Sequence, residues 1–315
     1  MKNIKFIEVK SEIGAGTRGA SLGVDAIKIA ALDFMSNLFV HIPSEEIPNE
    51  NHVLYEHVSS PHAKRIKGVY TVIERLANTV KESKNSGLFP IVLAGDHSTA
   101  AGTIAGLKMA NPKKRLGVVW IDAHADLHSP YTTPSGNMHG MPLSMSLAED
   151  NLKFKRHELD NNTKDYWDKL KNIGKISPKI KAEDIVFIAL RDFEEEEESI
   201  IKKNNIKVIP VSEVRKKGVE NIVKQTTQYL NDCDEIYISF DVDSIDSSIS
   251  KGTGTPVRNG LREKEAEDML ASFMQHHKIA CLEITEVNPT LDSENLMAEI
   301  AFGILQRCVN ILLVN

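Results

Sequence analysis

Four segments of the chain place acidic and histidine side chains directly after short apolar runs. The segments are 95–98 (GDHS), 122–126 (DAHAD), 241–246 (DVDSID) and 286–289 (EVNP). In an extended chain, residues two apart point to the same side, so Asp122, His124 and Asp126 can converge. Asp241 and Asp243 can converge for the same reason. Carboxylates and imidazoles gathered in one place are costly to desolvate unless a cation compensates them, so the pattern predicts a metal centre.

The residue types of this centre indicate which metal it would bind. The candidate ligands are two imidazoles and four carboxylates: His97, Asp122, His124, Asp126, Asp241 and Asp243. An oxygen-rich set without thiolates favours Mn²⁺ or a similar ion over a structural tetrahedral zinc. The set is large enough for two ions that share bridging carboxylates, and such a pair lowers the pKa of a bound water toward neutrality. We therefore expect a hydroxide nucleophile at physiological pH.

Each segment on its own has an ordinary structural explanation. An Asp-x-Asp after a strand is usually a turn or a helix cap, and a lone buried histidine is usually satisfied within the core. These explanations do not account for the convergence of all four segments at strand ends, because capping needs no imidazole.

The glutamate run at 194–198 is interpreted differently. It begins a predicted helix that ends near Lys202 and Lys203, and acidic residues in a first turn with basic residues in the last complement the helix dipole. We assign the run to a solvated helix face, with Glu194 as the exception.

The apolar runs alternate with segments of helical periodicity. The predicted strands are 4–9, 89–94, 116–121, 185–190, 207–211, 236–240 and 279–284, and the predicted helices include 64–86, 100–110, 213–231, 263–275 and 295–313. Most of the strand runs are continuously apolar, which is typical of strands covered on both faces. The pattern predicts an α/β fold of three layers, α/β/α, around a central mostly parallel sheet. Ligands are then expected beyond the carboxyl ends of the strands, where the irregular stretches 131–163 and 247–260 lie.

Length, composition and charge narrow the class of protein. The chain has 315 residues, of which 41% are hydrophobic and 26% charged, with a net charge of −6. These values are typical of a soluble globular protein, and no basic and aromatic cluster favours nucleic acid or an anionic membrane surface as a partner. No linker or repeat divides the sequence, so we predict one domain over residues 1–315.

Cysteine usage and the apolar segments bear on the cellular compartment. Cys233, Cys281 and Cys308 are widely separated without CxxC spacing, which predicts reduced, packed thiols. We find no secretory signal and no apolar run that we judge long enough to span a bilayer, so we expect a cytoplasmic protein.

Six motifs, in this order, resemble the ureohydrolase superfamily. They are GDHS (95–98), DAHAD (122–126), TTPSGNMHG (132–140), SFDVDSID (239–246), GTGTPVRNGL (252–261) and EVNP (286–289). TTPSGNMHG resembles the arginases in particular, and the N-terminal GAGTRGASLGVDAI resembles the family's glycine-containing opening loop. The resemblance covers nearly the whole chain. It implies an α/β fold and a binuclear manganese centre that hydrolyses a guanidino group to urea and an amine.

The resemblance also implies roles for individual residues. By position, one Mn²⁺ would be bound by His97, Asp122, Asp126 and Asp241, and the other by Asp122, His124, Asp241 and Asp243. Glu286 matches the acidic residue that pairs with the guanidinium, a planar cation that a bidentate carboxylate holds well. His139 matches the histidine that shuttles protons to the leaving amine, with Asp126 as a second route. Thr255 lies in the TGTP loop beside the site.

The resemblance implies L-arginine as the substrate, converted to L-ornithine and urea by attack of a metal-bridging hydroxide on the guanidinium carbon. Ser135 and Asn137 match residues near the α-carboxylate of the substrate. His128 stands where arginases commonly have Asn, and Glu194 where an Asp usually contacts the α-amino group. Both substitutions keep a hydrogen-bonding group at the position but change the length of the side chain, and so the distance at which it can contact the substrate.

These departures leave alternatives open. An agmatinase or another guanidino-acid ureohydrolase is the first of them. A formimidoylglutamase is less favoured because TTPSGNMHG is arginase-like. An inactive regulatory relative is also less favoured, because every predicted metal ligand is present. The family forms trimers and hexamers, so we expect a homo-oligomer.

Overall fold

The structure, a computed structural model, describes residues 2–314 and is built on an eight-stranded sheet. The strands are β1 Ile4–Val9, β2 Ser44–Glu46, β3 Phe89–Ala94, β4 Leu116–Ile121, β5 Ile185–Ile188, β6 Lys207–Ile209, β7 Glu235–Asp241 and β8 Ile279–Thr285. Their order across the sheet is β2-β1-β3-β8-β7-β4-β5-β6, and every neighbouring pair is parallel. The predicted parallel sheet is confirmed.

Helices cover both faces of this sheet. Within the described residues they are α1 Gly23–Asp33, α2 Leu38–His41, α3 Ile66–Asn85, α4 Ala100–Ala110, α5 Pro142–Leu147, α6 Asn161–Lys171, α7 Glu195–Lys203, α8 Val211–Lys217, α9 Val219–Tyr229, α10 Glu263–Met274 and α11 Leu296–Val314. Helices α3 to α7 share a core with one face, and α1, α2 and α8 to α11 share a core with the other. Along β4, Val118 and Trp120 enter the first core and Val119 and Ile121 the second, as strand alternation requires. The three predicted layers are confirmed.

Some elements differ from the sequence prediction. Edge strand β2 was not predicted, because its sequence is SEE and its side chains are exposed. The predicted helix 213–231 is two helices, α8 and α9, separated at Gly218, whose φ of 80° ends the first helix. The irregular stretch 131–163 also contains the short helix α5.

The apolar helix α11 corrects the expectation that no segment is long enough to span a bilayer. Within its 19 residues, an 18-residue window has a mean hydropathy of 1.6, which is sufficient by length and composition to cross a membrane. However, 56% of that window is buried within the protein. Its buried side chains, including Phe302 and Leu305, belong to the core shared with α1 and α10. We conclude that α11 is a core helix.

The prediction of packed thiols is confirmed. Cys233, Cys281 and Cys308 are free and buried, and burial raises the pKa of Cys233 and of Cys308 to about 12.

The sheet order brings the four chemical segments together. Strands β3, β8, β7 and β4 are consecutive in the middle of the sheet, although they are far apart in sequence. Because all are parallel, their carboxyl ends lie at one edge, and the segments at 95, 122, 241 and 286 follow or end these strands.

Candidate metal centre

His97 is surrounded by three carboxylates. Its Nδ1 lies 3.1 Å from Asp122 Oδ2 and 3.1 Å from Asp126 Oδ2. Asp241 Oδ2 is 3.2 Å from the same nitrogen. One ring nitrogen cannot donate to three carboxylates, and both Nδ1 and Asp122 Oδ2 are buried without a hydrogen-bond partner. Buried nitrogen and oxygen atoms that converge without hydrogen-bond partners are suitable ligands for a cation.

A second group forms around His124. Its Nδ1 lies 3.0 Å from Asp243 Oδ2 and 3.5 Å from Asp122 Oδ1. Thr255 Oγ1 donates a hydrogen bond to Asp243 Oδ2 at 3.0 Å, which holds that carboxylate in place. The two groups share Asp122, with one ligand atom from each member within 4.8 Å of the others. Asp122 is therefore a member of both groups of candidate ligands.

Local turns hold these carboxylates at the strand ends. Asp122 Oδ1 accepts a hydrogen bond from the amide of His124 at 2.7 Å, and Asp241 Oδ1 accepts one from the amide of Asp243 at 2.8 Å. Asp96 Oδ2 accepts from the amide of Gly14 at 3.0 Å, and burial raises the pKa of this carboxyl to about 6. The turn geometry that explains each segment singly is thus also what aims its side chains into the site.

The charges of the two groups are mutually unfavourable without a cation. Burial, together with the charges of Asp243 and Asp122, raises the pKa of Asp241 well above its ordinary value. Burial also raises the pKa of Asp126 and of Asp243. Burial acts to lower the pKa of His97, but its carboxylate neighbours outweigh it and raise the pKa. An oxygen-rich set with two imidazoles and this surplus of negative charge fits two divalent cations.

The ring of His97 is fixed from two further sides. Its Nε2 lies 2.7 Å from Ser239 Oγ, and the ring stacks on Trp120 with centroids 4.2 Å apart and planes 8° from parallel. The serine hydroxyl and the indole face determine which edge of the imidazole points toward the carboxylates. Neither contact was predicted, because a serine within a strand and a buried tryptophan carry no specific signal in the sequence.

His139 and Glu286 form a second feature beside the two groups. His139 Nδ1 is 3.1 Å from Glu286 Oε1, which also accepts the backbone amide of His97 at 2.9 Å. Burial acts to lower the pKa of His139, but the hydrogen bond and charge of Glu286 outweigh it and raise the pKa to about 9. The pKa of Glu286 is lowered, since His139 outweighs the effect of burial. The other oxygen, Glu286 Oε2, is buried without a partner.

Two of these residues have an unusual backbone conformation. Asp126 has a φ of 51° and Glu286 a φ of 66°, in the left-handed region that side chains with a Cβ rarely adopt. Non-glycine residues in this region are concentrated at functional sites, where surrounding structure holds them.

The segment 132–140 forms one wall and the opening of the site. Gly136 has a φ of 75°, and a Cβ there would lie 1.9 Å from the carbonyl oxygen of Pro61, so no larger residue fits. The amide of His139 donates to the carbonyl of Gly14 at 3.1 Å, which ties the segment to the N-terminal loop. Ser135 is exposed and Asn137 is half-buried.

The wall of the cavity also contains His128, Glu194 and Glu197. His128 is 6% exposed, and its Nε2 lies 3.1 Å from Glu194 Oε2 and 3.7 Å from Glu197 Oε2. The hydrogen bond with His128 lowers the pKa of Glu194 to about 2, whereas burial raises the pKa of Glu197 to about 8.

The assignment of 194–198 to a solvated face is wrong for two of its members. Glu196 and Glu197 are 1% and 3% exposed. Glu197 is buried because its carboxylate accepts the amides of Leu127 at 3.0 Å and Glu194 at 3.1 Å, the second as part of a capping box. The E-x-x-E spacing at the helix start was the signal that could have revealed it.

Most of the candidate residues line one cavity of about 120 Å³. Those that line it are His97, His124, Asp126, His128, Ser135, Asn137, His139, Glu194, Asp241, Asp243 and Thr255. Asp122 and Glu286 contact this set through His97, His124 and His139. The structure thus brings all the sequence-predicted site residues together, and adds Glu197 to the cavity wall.

Comparison with known proteins places this geometry in a family. The family model described as "Arginase family" matches residues 2–310. The arginase of Brevibacillus brevis is 35% identical over 316 residues, which cover 96% of each chain. The structure of Bacillus caldovelox arginase is 34% identical, with a TM-score of 0.85 over 98% of each chain. That of Entamoeba histolytica arginase in complex with L-ornithine is 26% identical, with a TM-score of 0.83 over 99% of each chain. The resemblance to the ureohydrolases is confirmed, and the chain belongs to the arginase family.

Proposed function

We propose that this chain hydrolyses L-arginine to L-ornithine and urea with two Mn²⁺ ions. The observation that carries the proposal is the position of Glu286, whose unpartnered buried oxygen lies beside two groups of candidate metal ligands. A buried acceptor next to a metal centre suits a substrate that brings a planar cationic donor to the reacting position. The full-length similarity to arginases supports the same substrate.

The six candidate ligands suit manganese because they combine carboxylates and imidazoles without a thiolate. The residues that would hold the ions are His97, Asp122, His124, Asp126, Asp241 and Asp243, and Asp122 and Asp241 are the two that would serve both ions. When bound, the ions supply Lewis-acid charge and the acidity that turns water into a nucleophile near neutral pH.

Glu286 and His139 have separate roles, which are substrate orientation and proton transfer. Glu286 Oε2 accepts hydrogen bonds from the guanidinium and so fixes the orientation of its carbon. The hydrogen bond and charge of Glu286 favour the protonated form of His139, which is placed to act as a general acid. In the balanced reaction the oxygen of water becomes the carbonyl oxygen of urea, and the C–N bond to the side chain breaks. Both hydrogens of the water end on the departing nitrogen, which leaves as an ammonium group. His139 donates one proton to this nitrogen and regains it from the water, and Asp126 offers a second route for proton transfer.

Polar side chains that line the cavity suit the two charged groups at the α-carbon of an amino acid. Ser135 and Asn137 offer hydroxyl and amide donors to the α-carboxylate. Glu194 is ionised at neutral pH and half-exposed, so it can accept hydrogen bonds from the α-ammonium, and its contact with His128 holds it in position. Thr255 supports the site through Asp243.

One assay tests this proposal. The purified chain is loaded with Mn²⁺ and offered L-arginine, agmatine, guanidinobutyrate and formiminoglutamate, with urea and formamide measured. We expect urea from L-arginine at the highest kcat/KM. Urea from agmatine but not from L-arginine would contradict the substrate and leave the metal centre in place. A single domain, a trimer or hexamer, and a cytoplasmic location stay predictions from the sequence.

A further inference from the structure

The opening of the cavity has a cationic side chain that the proposed reaction has not used. Lys64 Nζ donates a hydrogen bond to Asn137 Oδ1 at 3.1 Å, and Asn137 lines the cavity. The backbone amide of Lys64 also donates to the carbonyl of Gly136 at 2.8 Å. Lys64 is therefore attached to segment 132–140 by both its backbone and its side chain.

This contact determines which way the amide of Asn137 faces. A lysine ammonium has only donors, so it can pair with Oδ1 and never with Nδ2. The Nδ2 end lies instead against Gly16, where a Cβ would be 2.6 Å from the nitrogen. Any side chain at Gly16 would collide with this group. Within residues 2–314, Nδ2 donates to no protein acceptor, so its two hydrogens remain free for a ligand.

The positive charge of Lys64 is not neutralised by the protein. Among the described residues, no carboxylate lies within 4.0 Å of its Nζ, although the side chain is half-buried. In contrast, the carboxylates of Asp126, Asp241 and Glu286 lie at the inner end of the site. The site is negative inside and has an uncompensated positive charge at its opening.

We propose that Lys64 is a positioning residue that determines specificity: it orients the Asn137 amide and supplies charge for the α-carboxylate of the substrate. The inference rests on the proposed function. A guanidino amino acid has the opposite charge distribution to the site, with its cation at the inner end and its carboxylate at the opening. A guanidino amine without the carboxylate leaves Lys64 unpaired, so the chain discriminates against it.

The test compares Lys64→Met with Lys64→Arg in the manganese-loaded enzyme. The matched control is Lys67→Met, which removes the same charge from an exposed position nearby. For Lys64→Met we expect the KM for L-arginine to rise roughly tenfold, because one charge-assisted contact with the substrate is lost. The kcat should change less than about twofold, since Lys64 does not contact the reacting atoms. Lys64→Arg should recover most of the KM, since it keeps a donor-only cation, and Lys67→Met should resemble the wild type.

Agmatine, which has no carboxylate, gives the second readout. The ratio of kcat/KM for agmatine to that for L-arginine should rise in Lys64→Met. An unchanged KM for L-arginine, a fall in kcat alone, or no recovery in Lys64→Arg would overturn the inference while leaving the proposed function intact. A wild-type chain that releases no urea from L-arginine would contradict the proposed function and this inference together.

Discussion

The imidazole of His97 contacts the hydroxyl of Ser239, with 2.7 Å between Nε2 and Oγ. Ser239 is paired in register with Glu283 of β8, and Glu283 Oε2 accepts the hydroxyl of Tyr237 at 2.7 Å. All four side chains are buried. The hydroxyl oxygen of Ser239 can accept a hydrogen bond from Nε2–H, and in that tautomer the Nδ1 lone pair is available to a metal ion.

We therefore expect Ser239→Ala to weaken manganese binding roughly 10- to 100-fold, the usual effect of removing a partner of a ligating histidine. Calorimetric titration of Mn²⁺ into the metal-free protein measures this change. Ser146→Ala is the control, because Ser146 is also buried and its hydroxyl donates to a backbone carbonyl at 2.9 Å, outside the site. Equal affinities in the two variants would contradict the role of Ser239.

Substitution of Asp122 or Asp241 tests the bridging assignment. Either change to Ala should lower the metal content from about two ions per chain to about one or fewer and abolish urea release, since each carboxylate is assigned to both ions. Metal analysis after dialysis gives the stoichiometry. Asp246→Ala is the control: Asp246 belongs to the same motif, but its carboxylate accepts the amide of Ser248 in a turn. Retention of both ions by the Asp122 variant would refute its assignment.

Glu286→Gln should change the titration of His139. The carboxylate stabilises the imidazolium, so its removal should lower the pKa of His139 from about 9 toward the ordinary value of about 6.5. Turnover should fall roughly 10²-fold, mainly because the guanidinium loses its charged acceptor. The fall in pKa adds a smaller effect, since about a quarter of His139 would still be protonated at pH 7. NMR titration of the histidine ring protons in metal-free protein measures the pKa. His276 serves as an internal reference, since it lies outside the site, and an unshifted His139 would contradict the pairing.

Glu197 gives the folded protein a specific dependence on pH. Its pKa is raised from 4.5 to about 8, so the folded chain holds this proton more tightly than the unfolded chain. The resulting stability is complete below the unfolded pKa and is lost as the pH rises through about 8. Glu197→Gln, which is neutral throughout, should show a smaller fall in Tm between about pH 5 and pH 9.

The control for this measurement is Glu195→Gln, an exposed position in the same helical turn. It should keep the pH dependence of the wild type. Parallel Tm curves for Glu197→Gln and the wild type would show that Glu197 does not carry this effect.

The sequence predicts the fold well where burial is strong. Strands such as β3 and β4 are covered on both faces, so they read as continuous apolar runs that end at the polar segments. β2 is held by pairing with β1 rather than by burial, and its exposed acidic sequence carries no strand signal. The break at Gly218 was missed because the helical periodicity continues on both sides of it.

The candidate ligands could be predicted because each belongs to a motif with its own spacing. Glu197, Ser239 and Lys64 could not, because their roles depend on partners distant in sequence. Glu197 is buried against the amide of Leu127, and Lys64 meets Asn137 across 73 positions. Such contacts arise from sheet order and loop packing, which a local pattern does not contain.

The left-handed backbone at Asp126 and Glu286 has a consequence for any attempt to improve this protein. A glycine would relieve roughly 1–3 kcal/mol of backbone strain at each position, although Glu286→Gly would also leave the buried amide of His97 without its acceptor. The same substitutions would delete a candidate ligand and the guanidinium acceptor. Selection of variants by melting temperature alone therefore does not protect these two side chains. A search for improved variants also has to measure turnover.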